Sequence, residues 1–200
     1  MPHRAREPFA GRFPCHVTLK VRRGVPSLRS GKLVREFERS LTSLRQQRSE
    51  CRVVHYSLQK DHLHLIVEAS DREALGRGMK TLGTRLARAV HRVFGRSGGV
   101  LSDRYHLHVL RTPREVRNAL RYVLLNAHKH PRRPSPDGRP DPASSGRWFE
   151  GWRGRGRVPE AGLDTPVAVA RSWLLRSGWR RHGLIDPSDV PSDGSRSNQA

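Results

Sequence analysis

Cys51-Arg52-Val53-Val54-His55-Tyr56-Ser57-Leu58-Gln59, then Lys60-Asp61, then His62-Leu63-His64-Leu65-Ile66-Val67-Glu68: this stretch decides the fold. The two flanking runs are rich in β-branched, aliphatic and aromatic residues. A two-residue polar break separates them, so they read as an antiparallel hairpin. In the second run Leu63, Leu65 and Val67 share one face, and His62 and His64 share the other.

Moving toward the N-terminus, Lys32 to Gln47 carries Leu33, Phe37, Leu41 and Leu44 at helical spacing, and His16 to Val21 alternates as a strand. Toward the C-terminus, Ser70-x-x-Glu73 reads as a capping box. It opens a helix with Leu75, Met79, Leu82, Leu86, Ala89, Val90 and Val93 on its apolar stripe. A strand is expected from about Tyr105 to Leu110. Thr112-Pro113-Arg114-Glu115 then supplies an N-cap, a first-turn proline and a box glutamate. The helix it opens should bury Val116, Leu120, Val123 and Ala127. The order strand, helix, strand, strand, helix, strand, helix predicts an α+β fold. Its form is a ferredoxin-like βαββαβ antiparallel sheet with helices on one face, plus a C-terminal extension.

The chain has 200 residues and a formal net charge of +21, from 39 Lys plus Arg against 18 Asp plus Glu. The excess is concentrated in residues 1–130, with 27 basic and 10 acidic side chains, against 12 and 8 in the remainder. GC-rich coding explains Arg over Lys but not basic over acidic, so the charge points to a polyanionic partner, nucleic acid first. The helix opened at Ser70 should present Arg77, Lys80, Arg85, Arg88 and Arg92 opposite its apolar stripe. With Arg104, Arg111 and Arg121 they form the expected DNA-binding surface. Two cysteines, Cys15 and Cys51, exclude a disulfide scaffold and a four-cysteine zinc site. No membrane span or secretory signal is visible, which predicts a cytoplasmic protein, nucleoid-associated when bound to DNA.

Two imidazoles at i and i+2 of a strand project side by side and suit a divalent metal. His62-Leu63-His64 meets this condition, and so does His106-Leu107-His108; periodicity does not choose between them. His128 and His130 have the same spacing but fall at a helix end, where i and i+2 diverge. Tyr122 lies beside the apolar stripe of its helix, with Asn126 one turn later on the same face. A phenol oxygen can attack phosphorus, and an amide oxygen can reach a shared metal. A half-exposed polar face and a core-edge tyrosine are the structural alternatives.

The set Asp61 to Glu68, Asp103-Arg104-Tyr105-His106 and Arg121-Tyr122-Val123-Leu124-Leu125-Asn126 resembles the single-tyrosine HUH transposases, insertion-sequence-200-like and REP-associated. The resemblance spans roughly residues 16 to 130, including His16-Val17-Thr18-Leu19. It implies a metal pair at His62 and His64, a nucleophile at Tyr122, and a third ligand at Asn126, where the family often has Gln. His106 is then left nearer the DNA. It also implies single-stranded DNA cleavage and rejoining with Mg²⁺ or Mn²⁺, through a 5′-phosphotyrosine and a free 3′-hydroxyl. The expected partner is single-stranded or hairpin DNA, with monomer and homodimer both open. The alternatives are a domesticated, non-catalytic DNA-binding protein on the same fold and an RNA-binding module. The strands lack the aromatic stacking pair the latter would use.

The domain organisation follows from composition. Residues 1–130 form the catalytic domain of this resemblance, and 131–147, rich in Pro, Arg, Ser, Asp and Gly, read as a linker. Residues 148–186 form a C-terminal extension, with a short helix opened by Thr165-Pro166, and 187–200 read as a disordered tail. Within the extension, Trp148, Phe149 and Trp152 precede Arg153-Gly154-Arg155-Gly156-Arg157. That cluster reads either as a base-stacking segment or as a strap packed on the domain.

Overall fold

The computed structural model describes residues 9, 11–47, 49–126, 140–154 and 165–189. Strands β1 (Cys15–Lys20), β2 (Cys51–Leu58), β3 (His62–Ala69) and β4 (His106–Val109) form one antiparallel sheet in the order β2-β3-β1-β4. Helix α1 (Gly31–Gln46) joins β1 to β2, α2 (Arg72–Phe94) joins β3 to β4, and α3 (Pro113–Leu125) follows. This is the ferredoxin-like βαββαβ course expected from the hairpin outward.

The helix ends follow from local chemistry. Ser30 Oγ accepts from Leu33 N at 3.2 Å to open α1. The box of Thr112 and Glu115 opens α3 as the spacing predicts. The cap of α2 is Asp71, one residue beyond the expected Ser70. Its Oδ1 accepts from Ala74 N at 2.7 Å, while the Ser70 hydroxyl donates to the Asp71 carboxylate. A carboxylate is the better acceptor at the positive end of a helix, so Asp71 takes the position. Gly95, at φ 59°, closes α2 in the left-handed region.

The sheet is covered on both faces. Helices α1 and α2 lie on one, where Cys15, Val17, Leu19, Tyr56, Leu58, Leu63, Leu65 and Val67 meet Leu33, Phe37, Met79, Leu82 and Leu86. Helix α3 covers the other, packing Val116, Leu120, Val123 and Leu124 against Val54 and Ile66. A register shift between Val53 and His55 marks a bulge in β2, and Val54 there joins the α3-side core.

The chain after α3, from residue 140 of the expected linker onward, completes the second face and guards the sheet edge. Phe149, Trp152, Leu175, Trp179 and Ile185 join the α3-side core. Along β2, Leu58 N donates to Ala143 O and Ala168 N to Val53 O, each at 2.8 Å. Backbone groups that would otherwise leave an edge open to foreign strands are thereby engaged. Arg29 holds the segment in place with two bonds to the buried Asp141 carboxylate, at 2.8 and 2.7 Å. Helix α4 (Trp173–Arg176) begins after Ser172, not at Thr165-Pro166. The Glu68 carboxylate accepts from Arg171 N and Ser172 N, and Ala168 N is committed to β2, so these donors face outward instead of into a helical turn. Ala127, His128, His130, Arg155, Arg157, residues 131–139 and the tail from 190 lie outside the described residues. Among the described residues no helix is long and apolar enough to cross a membrane.

Candidate active site

Strand parity sets the site. Leu63 and Leu65 face α1 and α2, so His62 and His64 face α3. Directly opposed residues share a face, and the register pairs Thr18 with both His64 and His106, and His16 with Ile66 and His108. Both His-x-His pairs and His16 therefore lie on the α3 side of one sheet. The two pairs differ in setting: His64 is buried, whereas His106 and His108 are exposed on the edge strand β4.

The His62 and His64 rings stack nearly parallel, 8° apart in plane with centroids 6.1 Å apart. His62 Nδ1 stands 2.7 Å from Asp61 Oδ1, and His64 Nδ1 stands 3.1 Å from Thr18 Oγ1. An oxygen at Nδ1 orients each ring and leaves Nε2 as the nitrogen that could hold a metal, the arrangement usual for ligating histidines. Tyr122 reaches across from α3. Its ring meets His64 edge-on at 5.2 Å and 90°, and His16 at 5.6 Å and 62°. Asn126, buried, caps the C-terminus of α3 one turn beyond Tyr122. Two neutral imidazoles with oxygen-anchored Nδ1 atoms suit a weakly held borderline divalent ion. Among the described residues no three His, Cys, Asp or Glu side chains form a metal-holding group.

His16 is the site member that the sequence reading left unassigned. It lies between His64, at 5.4 Å, and Tyr122, and its Nε2 is buried without a hydrogen-bond partner. Burial, then the neighbouring His108, pushes its pKa down to about 4, so the ring is neutral near pH 7. The signal was present in the sequence: with Val17 and Leu19 assigned to the core, parity places His16 and Thr18 on the histidine face.

The expected DNA-binding cations divide into two groups. Arg77, Lys80, Arg85, Arg88 and Arg92 lie on α2, on the face opposite Tyr122. Several have acidic partners there: Arg77 with Glu50 at 2.7 Å and Arg92 with Glu36 at 2.7 Å. Arg85 donates to Ser40 O and Gln47 Oε1. Arg104 and Arg111 flank β4, and Arg121 lies on α3 beside Asp189, at 3.3 Å. These three lie on or beside the elements that carry His106, His108 and Tyr122.

No family model and no curated protein matches the chain. Among solved structures the chain is similar to a REP-associated tyrosine transposase bound to a REP hairpin, at 15% identity and TM-score 0.49, covering 65% of this chain and 74% of that one. It is also similar to a candidate transposase from Deinococcus radiodurans R1, at 14% identity and TM-score 0.42, covering 55% and 87%. A third is a bacterial tRNA(His) guanylyltransferase-like protein in complex with GTP, at 13% identity and TM-score 0.41, covering 58% and 63%.

Proposed function

We propose that the protein is a transposase-type single-stranded DNA endonuclease and strand-transferase, with Tyr122 as its nucleophile. The reading rests on one observation above all. Tyr122 stands edge-on to His64 on the face where two imidazoles, each anchored at Nδ1 by an oxygen, stack side by side. A core-edge tyrosine needs no such neighbours.

In this reading the Tyr122 phenol oxygen attacks the scissile phosphorus. A P–O bond forms to Tyr122 and the P–O3′ bond breaks. The phenol proton passes to solvent, and the leaving 3′-oxygen takes one up. The products are a 5′-phosphotyrosine and a free 3′-hydroxyl, and reversal onto a second 3′-hydroxyl rejoins the strand. His62, His64 and Asn126 would hold a divalent cation, Mg²⁺ or Mn²⁺, which when bound supplies Lewis-acid polarisation of a phosphate oxygen. Thr18 and Asp61 fix the imidazole orientations, and the apolar contacts of α3 hold Tyr122 over them. Arg104, His106, Arg111 and Arg121, from β4's flanks and α3, are suited to hold the strand by its phosphates.

The test is a covalent adduct. Full-length protein incubated with labelled hairpin-containing single-stranded DNA and Mn²⁺ should yield a protein–DNA band that survives denaturing gels. Tyr122→Phe removes only the attacking oxygen, so adduct and cleavage should vanish while stability changes by no more than about 0.5–1.5 kcal/mol. Cleavage by Tyr122→Phe at the wild-type rate would exclude the mechanism. A wild-type protein that binds a verified target and forms no adduct is the domesticated binder instead.

A further inference from the structure

Trp173 and Val169 are large hydrophobic side chains left exposed, at 51% and 77%, while Trp152 and Trp179 are buried. Trp173 is nevertheless held in place. Its ring lies against Gly178, where an added Cβ would come within 2.7 Å of ring carbon Cζ3, and the Arg181 guanidinium carbon stands 4.8 Å from its centroid. An aromatic ring restrained in this way yet half exposed presents an oriented surface.

The ground beside it is basic. Arg171 lies two residues before Trp173, and Arg52 donates to Val169 O. Arg52 Nη1 is buried with no hydrogen-bond partner. Glu68, opposite Arg52 in the sheet, gives its two oxygens to Arg171 N and Ser172 N, at 2.8 and 2.7 Å. Neither Arg52 nor Arg171 has an ion pair among the described residues; burial and then the neighbouring Arg171 push the Arg52 pKa down, with Glu68 opposing them. From Val169 a cleft of about 600 Å³ runs back between α1 and α2 over Val53, Met79 and Leu82, with Arg45 and Arg77 on its wall.

We propose that this surface, Trp173 with Arg52, Arg171 and Arg181, is a second contact site for single-stranded DNA, distinct from the Tyr122 site. A ligand that suits it has flat apolar rings to stack on Trp173 and anionic groups spaced along a chain to meet the arginines, which describes an unpaired strand. Duplex DNA hides its base faces, and an isolated phosphate has nothing to stack. The choice of DNA rests on the reading of the chain as a DNA-acting enzyme; the stacking and charge do not depend on catalysis. The site would hold the strand that flanks the reacting one while Tyr122 is engaged.

The experiment uses the full chain carrying Tyr122→Phe, so that no covalent step contributes, and a labelled oligo-dT probe over a range of salt. Trp173→Ala should weaken binding at least about fivefold, the low end of a base–aromatic stack. Trp173→Phe should restore most of it. Arg52→Gln and Arg171→Gln should each lower the salt slope by about one counterion. Oligo-dT should also quench tryptophan emission, and Trp173→Phe should remove that quenching. Trp173→Phe also covers the case in which Trp173→Ala fails to fold. Undiminished affinity in Trp173→Ala and both arginine variants would overturn the proposal. So would a concentration-dependent dimer that Trp173→Ala dissolves, which would make the occupant a second copy. Trp173-dependent binding by a wild-type protein that never forms an adduct would sink the catalytic reading and leave this one standing.

Discussion

Thr18 shows how one hydroxyl can govern a site. Its Oγ1 stands 3.1 Å from His64 Nδ1, across the β1–β3 register. Thr18→Val keeps the β-branched shape and the strand propensity while deleting the oxygen. The fold should survive, and Mn²⁺ affinity measured by calorimetry should fall about 10- to 100-fold, the usual effect of losing an outer-shell partner. Cleavage should fall with it. An unchanged affinity would show that His64 needs no anchor at Nδ1. In the same series His62→Ala or His64→Ala should abolish cleavage and leave DNA binding largely intact, whereas His106→Ala, exposed and two strands away, should act more mildly. The other two tyrosines have structural positions or lie off the site. Tyr56 is buried against Phe37 with its hydroxyl donating to Glu38 at 2.6 Å, and Tyr105 precedes β4.

At the scale of elements, the hairpin, α1 and α3 were legible because period and punctuation agreed: Leu33, Phe37 and Leu41 for α1, Lys60-Asp61 for the turn, Thr112-Pro113 for α3. Which sheet face α3 would cover was not, since an apolar stripe on a helix states that it is buried and not against what. Alternation in β1 sets the face of His16, but its approach to His64 and Tyr122 depends on how β1, β3 and α3 pack. The start of α4 was misplaced because Thr165-Pro166 carries a local helix signal that longer-range bonds to Glu68 and Val53 override. Trp148, Phe149 and Trp152 could be a stacking segment or a strap by composition alone; burial of Phe149 and Trp152 makes those two part of the strap. Two glycines of α2 show what sequence conceals. A Cβ at Gly76 meets nothing within 4 Å, whereas one at Gly78 would come 2.3 Å from Cys51 Cβ. Gly76→Ala should therefore stabilise by about 1 kcal/mol through helix propensity. Gly78→Ala should reverse the sign and destabilise by about 1–3 kcal/mol, as overpacking does where α2 touches β2. Urea midpoints of the two variants that moved in the same direction would contradict this helix–sheet packing.

The whole molecule places two neutral histidines in the layer between the sheet and its second cover, and that choice sets how stability depends on pH. His16 lies beneath Tyr122. His55 packs edge-on to Phe149 with Nδ1 3.2 Å from Ser145 Oγ. Burial lowers both to about 4, with His108 adding to the effect at His16. In the unfolded chain each would titrate near 6.5, so between about pH 6.5 and 4 the unfolded state binds protons that the folded state refuses. Stability is then full above about pH 7 and falls as pH drops through that window. The slope approaches roughly 1.4 kcal/mol per pH unit for each histidine. The carboxylates held low by hydrogen bonds, Asp71 and Asp186, act in the same direction but only below their ordinary value of 3.8, so the two windows separate. The growing positive charge of an already basic chain also favours unfolding, and a variant isolates the histidine part. His55→Phe keeps a ring against Phe149 and cannot protonate. Its stability, from urea midpoints at pH 7.5, 6 and 5, should fall less steeply than that of the wild type, by up to about 1.4 kcal/mol per pH unit. Parallel slopes for wild type and His55→Phe would show that His55 is protonated as readily in the folded chain as in the unfolded one.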